Sequence, residues 1–189
     1  MHHSTLLSAR ESAVLVIDVQ EKLMAKIPSA DRLVCNAAFL LDVAKLLEVD
    51  IAATEQYPKG LGPTVESLAQ RLPVRPDKFA FSSCAVPQVL DGFRAAGRTK
   101  VVLVGIETHV CVLHTTLDLL AAGLQPYLAV DALGSRYSID HEIALRRLEK
   151  AGAIVTTVET CAFEWMGGAK HPRFKEVSGL VQERMKLLG

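Results

Sequence analysis

Short apolar runs alternate with longer amphipathic stretches along this 189-residue chain. The runs AVLVI, DIAA, VRPDK, KVVLVG, QPYLAV and AIVTT predict strands at 13–17, 50–53, 74–78, 100–105, 125–130 and 153–157. Helical spacing of apolar positions predicts helices at 30–48, 64–71, 86–96, 110–122 and 140–151, with a last one after Pro172. The strand runs do not alternate apolar with polar, as expected where helices cover both faces of a parallel sheet. Three junctions, AAGRTKVVLV, AAGLQPYLAV and KAGAIVTTV, put Gly where a left-handed helix end needs it. The order is a βα repeat, so the expected fold is a doubly wound α/β sheet in one domain over 1–189. Residues 49–62 are the least regular inner segment, and TEQYPKGLGP, with two Gly and two Pro, reads as a loop.

Composition narrows the function classes. Half the residues are hydrophobic, and Lys plus Arg equals Asp plus Glu at 21 each. With no basic stripe and no aromatic-plus-basic interleaving, a nucleic-acid partner is not expected. Zero formal charge removes one barrier to self-association and favours a homo-oligomer. The opening MHHSTLLSARES has no signal-peptide core, and the apolar runs are far below membrane-spanning length. His2 and His3 are set aside as site residues. Cys35, Cys84, Cys111 and Cys161 form no C-x-x-C pair, which suits reduced thiols in the cytoplasm.

In open α/β sheets ligands bind beyond the carboxyl ends of the strands, so residues there carry the candidate chemistry. Cys111 ends GIETHVCV, between a strand and a helix, where backbone N–H groups and the positive helix end favour thiolate. Asp18 follows VLVI directly, and partial burial would raise its pKa toward that of a general base; a capping role is the alternative. Lys78 ends the third strand among Phe79, Ala80 and Phe81, and a Lys so placed needs an anionic partner. Asp77 reads as an exposed charge. If the three meet, they can run acyl transfer: Asp18 takes the thiol proton, Lys78 balances charge and Cys111 forms a thioester. The Cys111 N–H and another from the 106–108 turn could form an oxyanion hole.

VLVIDVQ, the strand-end Lys and GIETHVCV together resemble the isochorismatase-like cysteine hydrolases, which include nicotinamidases and related amidases. The resemblance runs over about 12–182, and TEQYPKGLGPT, TTLDLL, VDALGSR and HPRFKE bring the chain nearest to the small isochorismatase-domain proteins. It implies six mainly parallel strands in order 3-2-1-4-5-6, Asp18, Lys78 and Cys111 as catalytic residues, and oligomers. It also implies a cis peptide at Ile106–Glu107, aiming the Glu107 and Cys111 N–H groups at the substrate oxyanion. The nicotinamidases' Asp-x-His and further His have no counterpart, since no His lies between Asp18 and Lys78. A metal or other cofactor is therefore not expected, and nicotinamide is a weak substrate candidate. Cys111 speaks against isochorismatase proper. The expected activity is cleavage of a small-molecule amide-type C–N bond.

Other residues have more ordinary readings. Glu55, Gln56, Tyr57 and His109 are candidate pocket residues. His109, Cys111 and His114 spell H-x-C-x-x-H, an incomplete ligand set for zinc, and His114 reads as a core or interface residue. Asp131, Ser135 and Arg136 read as holding the loop after the fifth strand. Cys35, Cys84 and Cys161 read as packed thiols, and Phe163 and Trp165 as core, pocket cover or interface. The rival class is a non-catalytic or redox-sensing interaction protein that keeps the fold. A dinucleotide-binding protein lacks its G-x-G-x-x-G.

Overall fold

The computed structural model describes residues 5–189; His2 and His3 lie outside them. Six strands, β1 (Ser12–Ile17), β2 (Asp50–Gln56), β3 (Asp77–Lys78), β4 (Lys100–Ile106), β5 (Gln125–Gly134) and β6 (Ile154–Thr156), form one sheet in order β3-β2-β1-β4-β5-β6. Every neighbouring pair is parallel. Both the sheet and its order match the expectation.

The helices are α1 (Glu21–Met24), α2 (Ala30–Leu46), α3 (Pro58–Leu61), α4 (Glu66–Ala69), α5 (Pro87–Ala95), α6 (Leu113–Ala121), α7 (Ser138–Lys150), α8 (Val158–Met166) and α9 (Phe174–Leu188). The period-2 geometry of β1 and β4 sorts their apolar runs onto two faces. Val14, Val16, Val102 and Val104 pack with α2, α8 and α9. Ala13, Leu15, Ile17, Val101 and Leu103 pack with α5, α6 and α7. Both faces are thus covered, which is why the strands need no polar side.

Strand order reverses between β1 and β4, and the crevice at their carboxyl ends is where such sheets hold ligands. Gly105 lets the two strands meet there. Its φ is +121°, and a Cβ in its place would run into the Ile17 carbonyl oxygen.

Several predicted boundaries move. Only Asp77 and Lys78 pair as β3, because Pro73 and Pro76 lack ladder donors and Val74 is left exposed. TEQYPKGLGP is not all loop, since β2 runs on to Gln56. β5 continues past a register shift to Gly134, which pairs with Ile106. Helix α8 was not expected; Thr157 caps it by accepting a 3.3 Å hydrogen bond from the Thr160 N–H.

Candidate active site

β1 delivers Asp18 into the crevice with a left-handed φ of +53° and no solvent exposure. Its Oδ1 accepts a 3.0 Å hydrogen bond from Thr54 Oγ1, and its Oδ2 one of 2.6 Å from Lys78 Nζ. Lys78 is also buried. Its ammonium donates further to Gln56 Oε1 at 2.6 Å, to the Phe81 carbonyl at 2.9 Å and to the Ala80 carbonyl at 3.3 Å. The chain after β3 therefore wraps around the ammonium, using backbone acceptors. Burial pushes the Asp18 carboxyl above its usual range, while Lys78, the Cys111 thiol and Thr54 pull it back.

Cys111 sits in a π-helical turn, Thr108–Val112, that runs directly into α6. Its thiol, 6% exposed, is within hydrogen-bonding reach of Asp18. Burial first, then the Asp18 carboxylate, push that thiol from 9.0 up to about 12, against the pull of Lys78. This corrects the expectation of a thiolate held by the helix end. A rise from 9.0 to about 12 corresponds to about 4 kcal/mol against ionisation, more than the ~2 kcal/mol a helix terminus supplies. The resting group is a thiol poised beside a carboxylate that can take its proton.

The turn before Cys111 is tied down on its other side. The Ile106–Glu107 peptide is cis. Glu107 Oε1 accepts from Arg136 N at 3.1 Å and from Arg136 Nε at 2.9 Å, so its side chain is engaged rather than solvated. Thr108 Oγ1 donates to the Gly134 carbonyl at 3.0 Å. Its one proton is thereby used, so the 2.8 Å contact with His141 Nδ1 has the histidine as donor. Burial holds His141 below its ordinary range.

The other candidates are placed as follows. Gln56 sits beside Lys78 and also donates from Nε2 to the Phe79 carbonyl at 3.0 Å. Tyr57 is half-exposed, with its ring centroid 5.5 Å from that of Phe79. Glu55 does not line the site. It accepts from Thr64 N at 2.8 Å, from Thr64 Oγ1 at 2.6 Å and from Arg75 Nε at 3.1 Å, bonds that hold its carboxyl low despite burial. His109 Nδ1 bonds Ser135 Oγ at 3.0 Å, and its Nε2 lies 3.8 Å from Asp140. It helps anchor the turn. His114 is exposed against Phe81 at a ring-centroid distance of 5.6 Å, not in the core. H-x-C-x-x-H is thus split three ways, and among the described residues no group of three His, Cys, Asp or Glu could hold a metal ion.

Asp131 holds its loop, as read, by accepting from Val158 N at 2.9 Å and Arg184 at 3.2 Å. Trp165 and Cys161 are core, Phe163 is exposed, and Cys35 and Cys84 are only half-buried. A cavity of about 960 Å³ lies elsewhere, between α2 and α9, with Cys35 and Arg184 on its wall.

Sequence reasoning missed four buried polar residues. Gln20 ties β1 to β2: its Oε1 accepts from Gln56 N at 2.7 Å and its Nε2 donates to the Gln56 carbonyl at 3.0 Å and the Gly62 carbonyl at 2.7 Å. Its place in VIDVQ, next but one to Asp18, was the available signal. Thr54, Ser83 and Thr115 gave none, because a hydroxyl inside a strand or helix looks like ordinary propensity.

A profile of the isochorismatase domain matches residues 12–160. Isochorismatase domain-containing protein 2A of Mus musculus is 43% identical over 176 residues, covering 92% of this chain and 84% of the relative. The MAR1 ribonuclease of Caenorhabditis elegans superposes with a TM-score of 0.89 at 41% identity, over 94% of this chain and 93% of its own. YcaC of Pseudomonas aeruginosa has a TM-score of 0.88 at 22% identity, covering 100% and 98%, a likeness of fold alone. Identity above forty per cent over nearly the whole length goes beyond what a shared sheet explains, and this chain belongs to the isochorismatase family.

Proposed function

We propose that the chain is a cysteine hydrolase that cleaves small-molecule amide-type C–N bonds through a thioester at Cys111. The observation that carries this reading is the buried contact of one thiol, one carboxylate and one ammonium at the strand-order switch. Asp18 takes the thiol proton as sulfur attacks the carbonyl carbon. It then gives that proton to the departing nitrogen, so the C–N bond breaks and an amine leaves. Water next attacks the thioester and yields one proton to Asp18. The C–S bond breaks, the acid departs and Asp18 returns the proton to the sulfur. Lys78 keeps the cluster's charge balanced throughout. The N–H groups of Glu107 and Cys111 are assigned to the oxyanion.

A thiol at about 12 supports this division of labour, since it needs an adjacent base at neutral pH. The C. elegans relative carries the name ribonuclease. RNA cleavage would call for cations tracking a phosphate backbone, whereas Lys78 is committed to Asp18 and the residues around it are Tyr57, Phe79, Phe81 and His114. The substrate is therefore assigned as a small molecule. A homo-oligomer is proposed as well, on the exposure of Phe79, Tyr137, Ile139 and Ile143. A cytoplasmic setting is supported by four unpaired cysteines among the described residues.

The test is ammonia or amine release from a panel of small amides, with RNA cleavage assayed alongside. Cys111→Ala is expected to abolish release. Turnover that survives the substitution would defeat the covalent reading; without amide turnover, an inert thiol would favour the non-catalytic alternative, and a reactive thiol lost reversibly to peroxide the redox-sensing one.

A further inference from the structure

Behind Asp18 lies a run of buried hydroxyl groups that the chemistry above does not use. Thr54 Oγ1 on β2 is 3.0 Å from Asp18 Oδ1 and 2.9 Å from Ser83 Oγ, in the short turn Ser83–Ala85. The Ser83 backbone N–H donates to Thr115 Oγ1 at 2.9 Å, and Thr115 Oγ1 donates to the Cys111 carbonyl at 2.7 Å. Thr54, Ser83 and Thr115 are at most 1% exposed. The chain of bonds therefore closes a loop from the Asp18 carboxylate to the backbone of Cys111.

Donor counting fixes its direction. A threonine hydroxyl has one proton. Thr54 gives it to the Asp18 carboxylate, which accepts only, so Ser83 must donate to Thr54. Each hydroxyl in the run is then used once as donor: Ser83 and Thr54 donate toward the carboxylate, and Thr115 donates the other way, to the Cys111 carbonyl. The titratable groups facing Asp18 are Lys78 from β3 and Cys111 from the turn after β4. Each bears on the carboxylate's proton, whereas Thr54 approaches Oδ1 as a neutral donor on the side away from the Lys78 bond to Oδ2.

We propose that Thr54, oriented by Ser83, is a positioning residue that holds Asp18 as an acceptor through Oδ1 and so leaves its other oxygen committed to Lys78. This inference rests on the hydrolase reading for its purpose, but its test does not. Because the Thr54 hydrogen bond is stronger to the charged carboxylate than to the neutral acid, its loss makes Asp18 hold a proton at higher pH.

The experiment follows the Asp18 carboxyl carbon by ¹³C NMR across a pH titration, with Asp18→Asn identifying the signal. Thr54→Val is expected to raise the midpoint by about one pH unit, Thr54→Ser to restore it, and Ser83→Ala to give a smaller rise. A wild-type midpoint in Thr54→Val, or the same rise in Thr54→Ser as in Thr54→Val, overturns the proposal. Should Thr54→Val not fold, Ser83→Ala alone decides, and an unmoved midpoint there also overturns it. Iodoacetamide labelling of the Cys111 peptide, run in parallel, reports on the hydrolase reading alone. A shifted Asp18 midpoint beside an inert thiol would sink that reading and leave the positioning role standing.

Discussion

Two cations in this molecule are bound almost equally well and do opposite jobs. Arg184, on α9, donates to Asn36 Oδ1 at 2.7 Å, to Glu159 Oε2 at 2.8 Å and to Asp131 Oδ2 at 3.2 Å, with its guanidinium 5.3 Å from the Phe39 ring centroid. It staples α9 to α2, β5 and α8, beside the 960 Å³ cavity. Lys78 has four oxygen acceptors of its own, at 2.6 to 3.3 Å. The difference lies in the partner. Asp131 faces only donors that keep their protons, whereas Asp18 faces a thiol that can lose one. Neither cavity size nor the number of bonds to a cation marks the chemistry. The proposed chemistry rests instead on a thiol beside a carboxylate at the strand-order switch.

The comparison is broken most severely by removing each cation. Lys78→Met strands a fully buried carboxylate and is expected to cost about 3–5 kcal/mol near neutral pH, with loss of turnover. Because the folded Asp18 carboxyl lies above its unfolded value, its contribution is fully present below that value and is lost as pH rises through the folded one. The deficit should therefore shrink on acidification, as thermal melts at about pH 5 and about pH 8 would register. A pH-independent deficit would mean that Asp18 is not the group left unpaired.

Arg184→Met is expected to lower stability by roughly 2 kcal/mol, through lost charge-assisted hydrogen bonds, and to leave kcat unchanged. A drop in kcat would bring the staple into the chemistry and erase the contrast. Smallest is Arg136→Ala. Its side chain is 46% exposed, so the ion pair with Glu107 is worth about 1 kcal/mol or less in stability. Yet that pair steadies the turn before Cys111, and a several-fold fall in kcat with little change in melting temperature is expected.

The sheet was legible because β1 and β4 are apolar on both faces, and that pattern admits few other architectures. Asp18 and Cys111 were legible as polar residues just past such runs, and Lys78 as a strand-end lysine set among Phe79, Ala80 and Phe81. The errors came where local pattern and tertiary partner diverge. Glu55 and His109 stand at strand ends just as Asp18 does, but their side chains turn to Thr64 and Ser135. Helix α8 hid because its cap lies at the end of a β-rich run, IVTT. The thiol's protonation also escaped, since burial and a facing carboxylate are products of the fold and outweigh the helix end.

The central claim, that Cys111 is the nucleophile, is tested most directly by rapid acid quench of the enzyme with a turned-over amide, followed by mass analysis of the Cys111 peptide. An acyl mass on that peptide, formed within one turnover and absent in Cys111→Ser, is the expected result. Product formed at the wild-type rate with no acyl adduct on Cys111 would contradict it.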